Sequence, residues 1–158
     1  WYPGTREYLA REDGMARPMD WFFAGQITHD RRQDCAAVLR DLPGGVLVET
    51  SRYLEEKIPR CDYFAAMASA KVAPSPSGPY SVDCARTFEA LEAGCVPVAD
   101  VQPAYAPAFD YWTLLLGDDH RVPTIEDWSM FPDRLTEILD GWPANARPDR
   151  RFVPRHCQ

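Results

Sequence analysis

Lysine is almost missing from this chain: Lys57 and Lys71 are the whole supply, and arginine carries the remaining positive charge. Acidic residues outnumber basic ones, 24 to 17, and the net charge is -7. A balance this acidic excludes a nonspecific nucleic-acid binder, which needs a cationic face for phosphate. Long apolar runs are missing too. The longest, such as Thr113-Leu114-Leu115-Leu116, fall far short of the roughly 18 residues that span a bilayer. Cysteine occurs as Cys35, Cys61, Cys84, Cys95 and Cys157, with no CxxC pair to suggest zinc. The odd count and scattered spacing favour a reducing compartment, hence a cytoplasmic location. Four of these cysteines lie in apolar segments and read as small core residues. Neither GxxxxGK[ST] nor GxGxxG occurs, so P-loop and dinucleotide-binding readings lack support. The chain starts at Trp1 with no basic or apolar leader, and reads as a segment of a longer protein.

What is present is enough apolar material for one core: 46% of 158 residues. Residues 1–19 are polar and turn-rich and read as a linker leading into a domain at 20–142. Residues 143–158, with Arg147, Arg150, Arg151 and Arg155, read as a basic tail. Within the domain, Trp21 to Gly25 predicts a buried strand ending in a tight turn. Cys35, Val38, Leu39 and Leu42 recur at helical spacing after Asp30, and Pro43-Gly44-Gly45 stops that helix. Val46 to Val48, Lys71 to Pro74, Cys95 to Val98 and Thr113 to Leu116 read as further strands. Asp62 to Ser69 and Pro132 to Leu139 read as helices. Ser81 is expected to cap a helix whose apolar stripe is Val82, Ala85, Phe88 and Leu91, closed by Gly94.

Strands alternating with helices predict an α/β domain: a Rossmann-like parallel sheet with helices on both faces. Such sheets bind ligands outside the carboxyl ends of their strands. That selects the loops Gly25–Arg32, Thr50–Arg52 and Ser75–Ser81 as the places for function. Taken physically, Arg86 and Glu89 share a helix face and read first as a surface ion pair. Ser81, with the nearby N–H groups, could meet a phosphate at a helix N-terminus.

The string Arg86-Thr-Phe-Glu89-Ala-Leu-Glu-Ala-Gly94-Cys95-Val96-Pro97-Val98 resembles the exostosin pattern of Arg, Glu-Ala-Leu, Gly-Cys and Pro-Val. It is also similar to the wider signature of glycosyltransferases of the GT-B type. Trp21-Phe-Phe-Ala-Gly25 followed by Arg31-Arg32 resembles the family's Phe-Phe-Ala-Gly strand and later arginine. The resemblance implies the C-terminal, nucleotide-sugar-binding half of a GT-B glycosyltransferase, with a UDP-linked donor. It implies that Glu89 accepts from ribose hydroxyls, that Gly25 permits close backbone approach, and that Arg86 with Arg32 or Arg31 faces phosphate. Ser77, Gly78 and Ser81 belong to the same donor loop, although Ser81 stands where the signature carries an acid. The resemblance implies no metal and no cofactor, the nucleotide-sugar being substrate. The expected partner is an acceptor-binding N-terminal half or a second chain, without which transfer is not expected. A Golgi lumen location is the alternative if the chain belongs to a membrane-anchored eukaryotic enzyme. A catalytically silent assembly module built on the same domain is the rival reading, and a flavodoxin-like or signalling α/β domain is a further one.

Overall fold

The computed structural model describes residues 16–50, 58–101, 111–117 and 122–142. Five strands, β1 (Met19–Gln26), β2 (Gly45–Thr50), β3 (Ala70–Ser75), β4 (Val96–Asp100) and β5 (Thr124–Ile125), form one sheet in the order β2-β1-β3-β4-β5. Every pairing is parallel. Helices α1 (Asp30–Arg40), α2 (Arg60–Ala68), α3 (Ala85–Ala93), α4 (Tyr111–Leu116) and α5 (Phe131–Asp140) make the crossovers and the C-terminal cap. The expected α/β parallel sheet is therefore the one found.

Side chains alternate across β1, and this alternation builds two cores. Phe22 and Ala24 join Phe64, Met67, Ala90 and Ala93, from α2 and α3, on one face. Trp21 and Phe23 join Cys35, Leu39, Trp128, Phe131 and Leu135, from α1, the one-turn 3-10 helix Trp128–Met130 and α5, on the other. Helices thus cover both faces, which keeps a parallel sheet out of water. Among the described residues no helix is long and apolar enough to cross a membrane.

Gly94 closes α3 as expected. It adopts φ 69°, and the Cys95 N–H donates to Ala90 O at 2.8 Å, the six-to-one bond of a Schellman ending. Arg17, counted with the linker from sequence, is buried at the opposite edge of the sheet. It donates to Ala70 O, to Ala93 O at 2.6 Å and to Cys95 Sγ at 3.4 Å, tying the starts of β3 and β4 to the end of α3.

Four sequence expectations are corrected. Thr113 to Leu116 is the body of α4, not a strand, and Leu114 is 72% exposed. The fifth strand is the two-residue Thr124–Ile125. The face that α3 buries is Arg86, Thr87, Ala90 and Ala93, while Phe88 is exposed. Small residues on that face let the helix lie close to the sheet, so size decided its rotation more than apolar character did. Cys61 is exposed and Cys84 half-buried, which leaves Cys35 and Cys95 as the core cysteines among those described. The Arg52 end of the Thr50–Arg52 loop, Cys157 and the basic tail lie outside the described residues.

Candidate functional site

The strand order reverses direction at β1. The helix after β1 leads to β2 on one side, and the chain then crosses to β3 on the other. A crevice forms at such a switch point, because the two crossovers leave in opposite directions. The recorded pairing of β1 with β3 ends at Trp21–Val72, whereas β1 stays paired with β2 as far as Gln26. The upper end of β1 is therefore open on its β3 side.

Two arginines fill that opening. Arg86, from the first turn of α3, is 8% exposed and donates through Nη2 to Ala24 O at 2.6 Å. Its Cζ lies 4.2 Å from the Phe23 ring centroid, a cation–π contact. Arg32, from the first turn of α1, donates through Nη1 to Gln26 O at 3.0 Å. Arg86 Nε and Nη1 and Arg32 Nε are buried without a hydrogen-bond partner. Burial first, then the field of Arg86, lowers the Arg32 pKa from its ordinary value, so the two guanidinium groups repel each other. Among the described residues neither is paired with a carboxylate.

Gly25 makes the arrangement possible. A methyl group on it would overlap Arg86 Nη2, and would lie 3.5 Å from Arg86 Cζ and 3.6 Å from Phe23 Cζ. The glycine thus opens space for an arginine of its own chain.

Arg31 is differently occupied. Its Nε donates to Ser77 Oγ at 2.6 Å and its Nη2 to Gly78 O at 2.5 Å, and Nε lies 3.9 Å from Asp100 Oδ2. Asp100, 2% exposed at the end of β4, accepts from the Ser77 N–H at 3.1 Å and from Trp128 Nε1 at 2.9 Å. It links α1, the loop after β3, and the 3-10 turn after β5. Sequence reasoning missed Asp100 because β4 was ended at Val98. A strand extended two residues would have put an acid at its carboxyl end, where parallel sheets keep their chemistry.

The structure thus gathers Gly25, Arg31, Arg32, Ser77, Gly78 and Arg86 at one sheet edge. Glu89 and Ser81 are engaged elsewhere, although Glu89 lies one helical turn from Arg86 on α3. Glu89 is half-buried, faces α2, and its Oε2 accepts from the Tyr63 hydroxyl at 2.7 Å. Burial, opposed by Arg86 and reinforced by Glu89, pushes the Tyr63 hydroxyl pKa up, which keeps it a donor. The i,i+3 ion pair of Arg86 with Glu89 is absent, since each side chain has its own partner. Ser81 is exposed and donates to Asp83 O at 3.1 Å, and Cys84 occupies the N-cap of α3. That local side-chain bond holds residues 81–83 in a turn and delays the helix to Ala85. Phe64 is a core residue, and Tyr80 is 84% exposed.

His29 sits at the N-cap position of α1 with no side-chain capping bond, and its Nε2 is buried without a partner. Arg31, Arg32 and Arg86 bring three positive charges to this edge, and Asp100 answers one of them. The surplus, beside the positive end of the α1 dipole, suits a doubly negative ligand. No protein-family model matches the chain, and no curated protein matches it.

Proposed function

We propose that this chain is the donor-binding half of a glycosyltransferase of the GT-B type, holding a UDP-linked sugar across the crevice between β1 and β3. The observation that carries the proposal is the pair Arg32 and Arg86: a half-buried and a buried guanidinium in one another's field, with buried unpartnered N–H groups and, among the described residues, no acid paired to either. An uncompensated buried charge costs about 3–5 kcal/mol. A diphosphate supplies the missing negative charge and the missing acceptors together, and arginine forks match its oxygens. Stabilising a departing nucleoside diphosphate needs fixed positive charge, which this pair provides.

The exostosin-like string supplies the rest of the reading. Glu89 takes the ribose hydroxyls through Oε1 while Tyr63 steadies Oε2, and Arg31, tied to Ser77 and Gly78, shapes the donor loop. Arg32 and Arg86 are the phosphate ligands; Arg31 is a structural neighbour. The acceptor and the base that activates it come from another half, so residues 1–158 bind the donor without turning it over. The strand order is shared with flavodoxin-like domains. A phosphoacceptor reading would need an accessible acid at the end of β1, where Ala24-Gly25-Gln26 stands.

Isothermal titration with UDP and UDP-sugars tests the proposal. Saturable binding is expected, and Glu89→Ala should weaken it by about 1–3 kcal/mol. Absence of saturable heat would favour the assembly-module reading instead.

A further inference from the structure

The cationic edge contains one group that the arginine pair does not explain. His29 begins α1, and its backbone carbonyl accepts from the Arg32 and Gln33 N–H groups at 3.0 Å each. Its ring lies in the field of three charged neighbours of its own helix, Asp30, Arg31 and Arg32, and of Asp100 from β4, and Arg32 in turn feels Arg86 from α3. The helix directs its positive end at the same space. Nε2 is shut from solvent yet bonded to no protein group.

We infer that His29 is the third arm of the anion site, and that it takes up one proton when a doubly charged phosphate binds. This inference rests on the diphosphate reading above. A neutral imidazole offers Nε2 as donor or as acceptor according to its tautomer, whereas imidazolium offers it only as donor. In the ligand-free protein protonation is opposed: burial first, then Arg32 and Arg31, hold the imidazole pKa below its ordinary value, against the weaker pull of Asp100 and Asp30. Both effects favour the neutral ring in the ligand-free protein. Two negative charges arriving beside Arg32 and Arg86 cancel the positive surplus that opposes protonation. Water then supplies a proton to the ring, and Nε2–H donates to a ligand oxygen. By linkage, affinity rises as pH falls through the imidazole pKa of the ligand-bound protein, and it levels off below that of the ligand-free protein.

Inorganic sulfate is the clean probe, since it stays doubly charged throughout this pH range while phosphate does not. The Cε1–H resonance of His29, assigned by its loss in His29→Gln, is followed by NMR from about pH 5 to pH 8. The titration is repeated with saturating sulfate and with sodium chloride at equal ionic strength. Without sulfate the midpoint should lie below the usual imidazole value of about 6.5. With sulfate it should rise by about one unit, and sulfate affinity should rise about three- to sixfold from pH 8 to pH 6 in the wild type. His29→Gln should show a flat profile. Sulfate that binds while the His29 midpoint stays fixed would overturn the inference and leave the arginine site standing. A chain that binds neither sulfate nor UDP would overturn both.

Discussion

Replacing Gly25 with alanine puts a methyl group where the Arg86 guanidinium now lies. The obstacle is the far end of a flexible side chain, so the arginine swings out and the strand stays where it is. The protein then loses the Arg86–Ala24 hydrogen bond, about 1.5–3 kcal/mol for a charged donor. It also loses a desolvated cation–π contact of about 0.5–2 kcal/mol. Against this, Nε and Nη1 leave a site where they lack acceptors, regaining about 1–3 kcal/mol for each satisfied group. The opposing sums leave a stability change of less than about 2 kcal/mol. Binding has no such compensation, because a guanidinium turned to solvent no longer meets a phosphate held by Arg32. UDP affinity should fall by about 1.5–3 kcal/mol, roughly 10- to 150-fold. Urea unfolding followed by tryptophan fluorescence measures the first quantity, and calorimetric titration the second. A Gly25→Ala protein that folds normally and binds UDP as tightly as the wild type would refute this assignment of Gly25 and Arg86. A loss of stability above about 4 kcal/mol would show that backbone, not Arg86, fills the space.

Asp100→Asn keeps the shape but turns one acceptor into a donor facing Ser77 N–H or Trp128 Nε1, and it leaves Arg31 without its neighbouring acid. Stability should fall by about 2–4 kcal/mol in urea, with Trp128 fluorescence reporting the lost bond. Tyr63→Phe removes the bond to Glu89 and should cost about 1–2 kcal/mol near neutral pH. Because the folded-state pKa of Tyr63 is raised, its contribution is complete below the unfolded tyrosine value of about 10 and is lost as pH rises beyond it. Denaturation curves from pH 8 to 11 should therefore steepen less for the phenylalanine variant than for the wild type.

Where burial was two-sided, the sequence was easy to read. Trp21 to Gly25 and Lys71 to Pro74 form buried strands because nothing else accommodates so dense an apolar run between turn signals. The helix ending at Gly94 was legible for a local reason, a residue that reaches positive φ without strain. Thr113 to Leu116 misled because four apolar residues fit either period, and leucine favours a helix when packing does not decide. The rotation of α3 was hidden because its sheet-facing side includes a buried arginine, which apolar patterning counts as surface. At the site, the residue types were visible in the string from Arg86 to Val98 and at Arg31-Arg32. Their pairing was not: Arg31 with Asp100, Arg86 with Ala24, and Glu89 with Tyr63 are contacts across 26 to 69 positions of sequence that only the sheet order brings together.

Arg86 carries a buried charge that the proposed function assigns to a ligand, and Arg86→Met separates that role from a structural one. Methionine keeps much of the side-chain volume and removes the charge. Measured side by side, UDP affinity should fall at least about 10-fold while stability without nucleotide is unchanged or rises by about 1 kcal/mol, since an uncompensated charge has left the interior. A variant that binds UDP like the wild type, or that loses several kcal/mol of stability with nucleotide binding undetectable in both proteins, would contradict it.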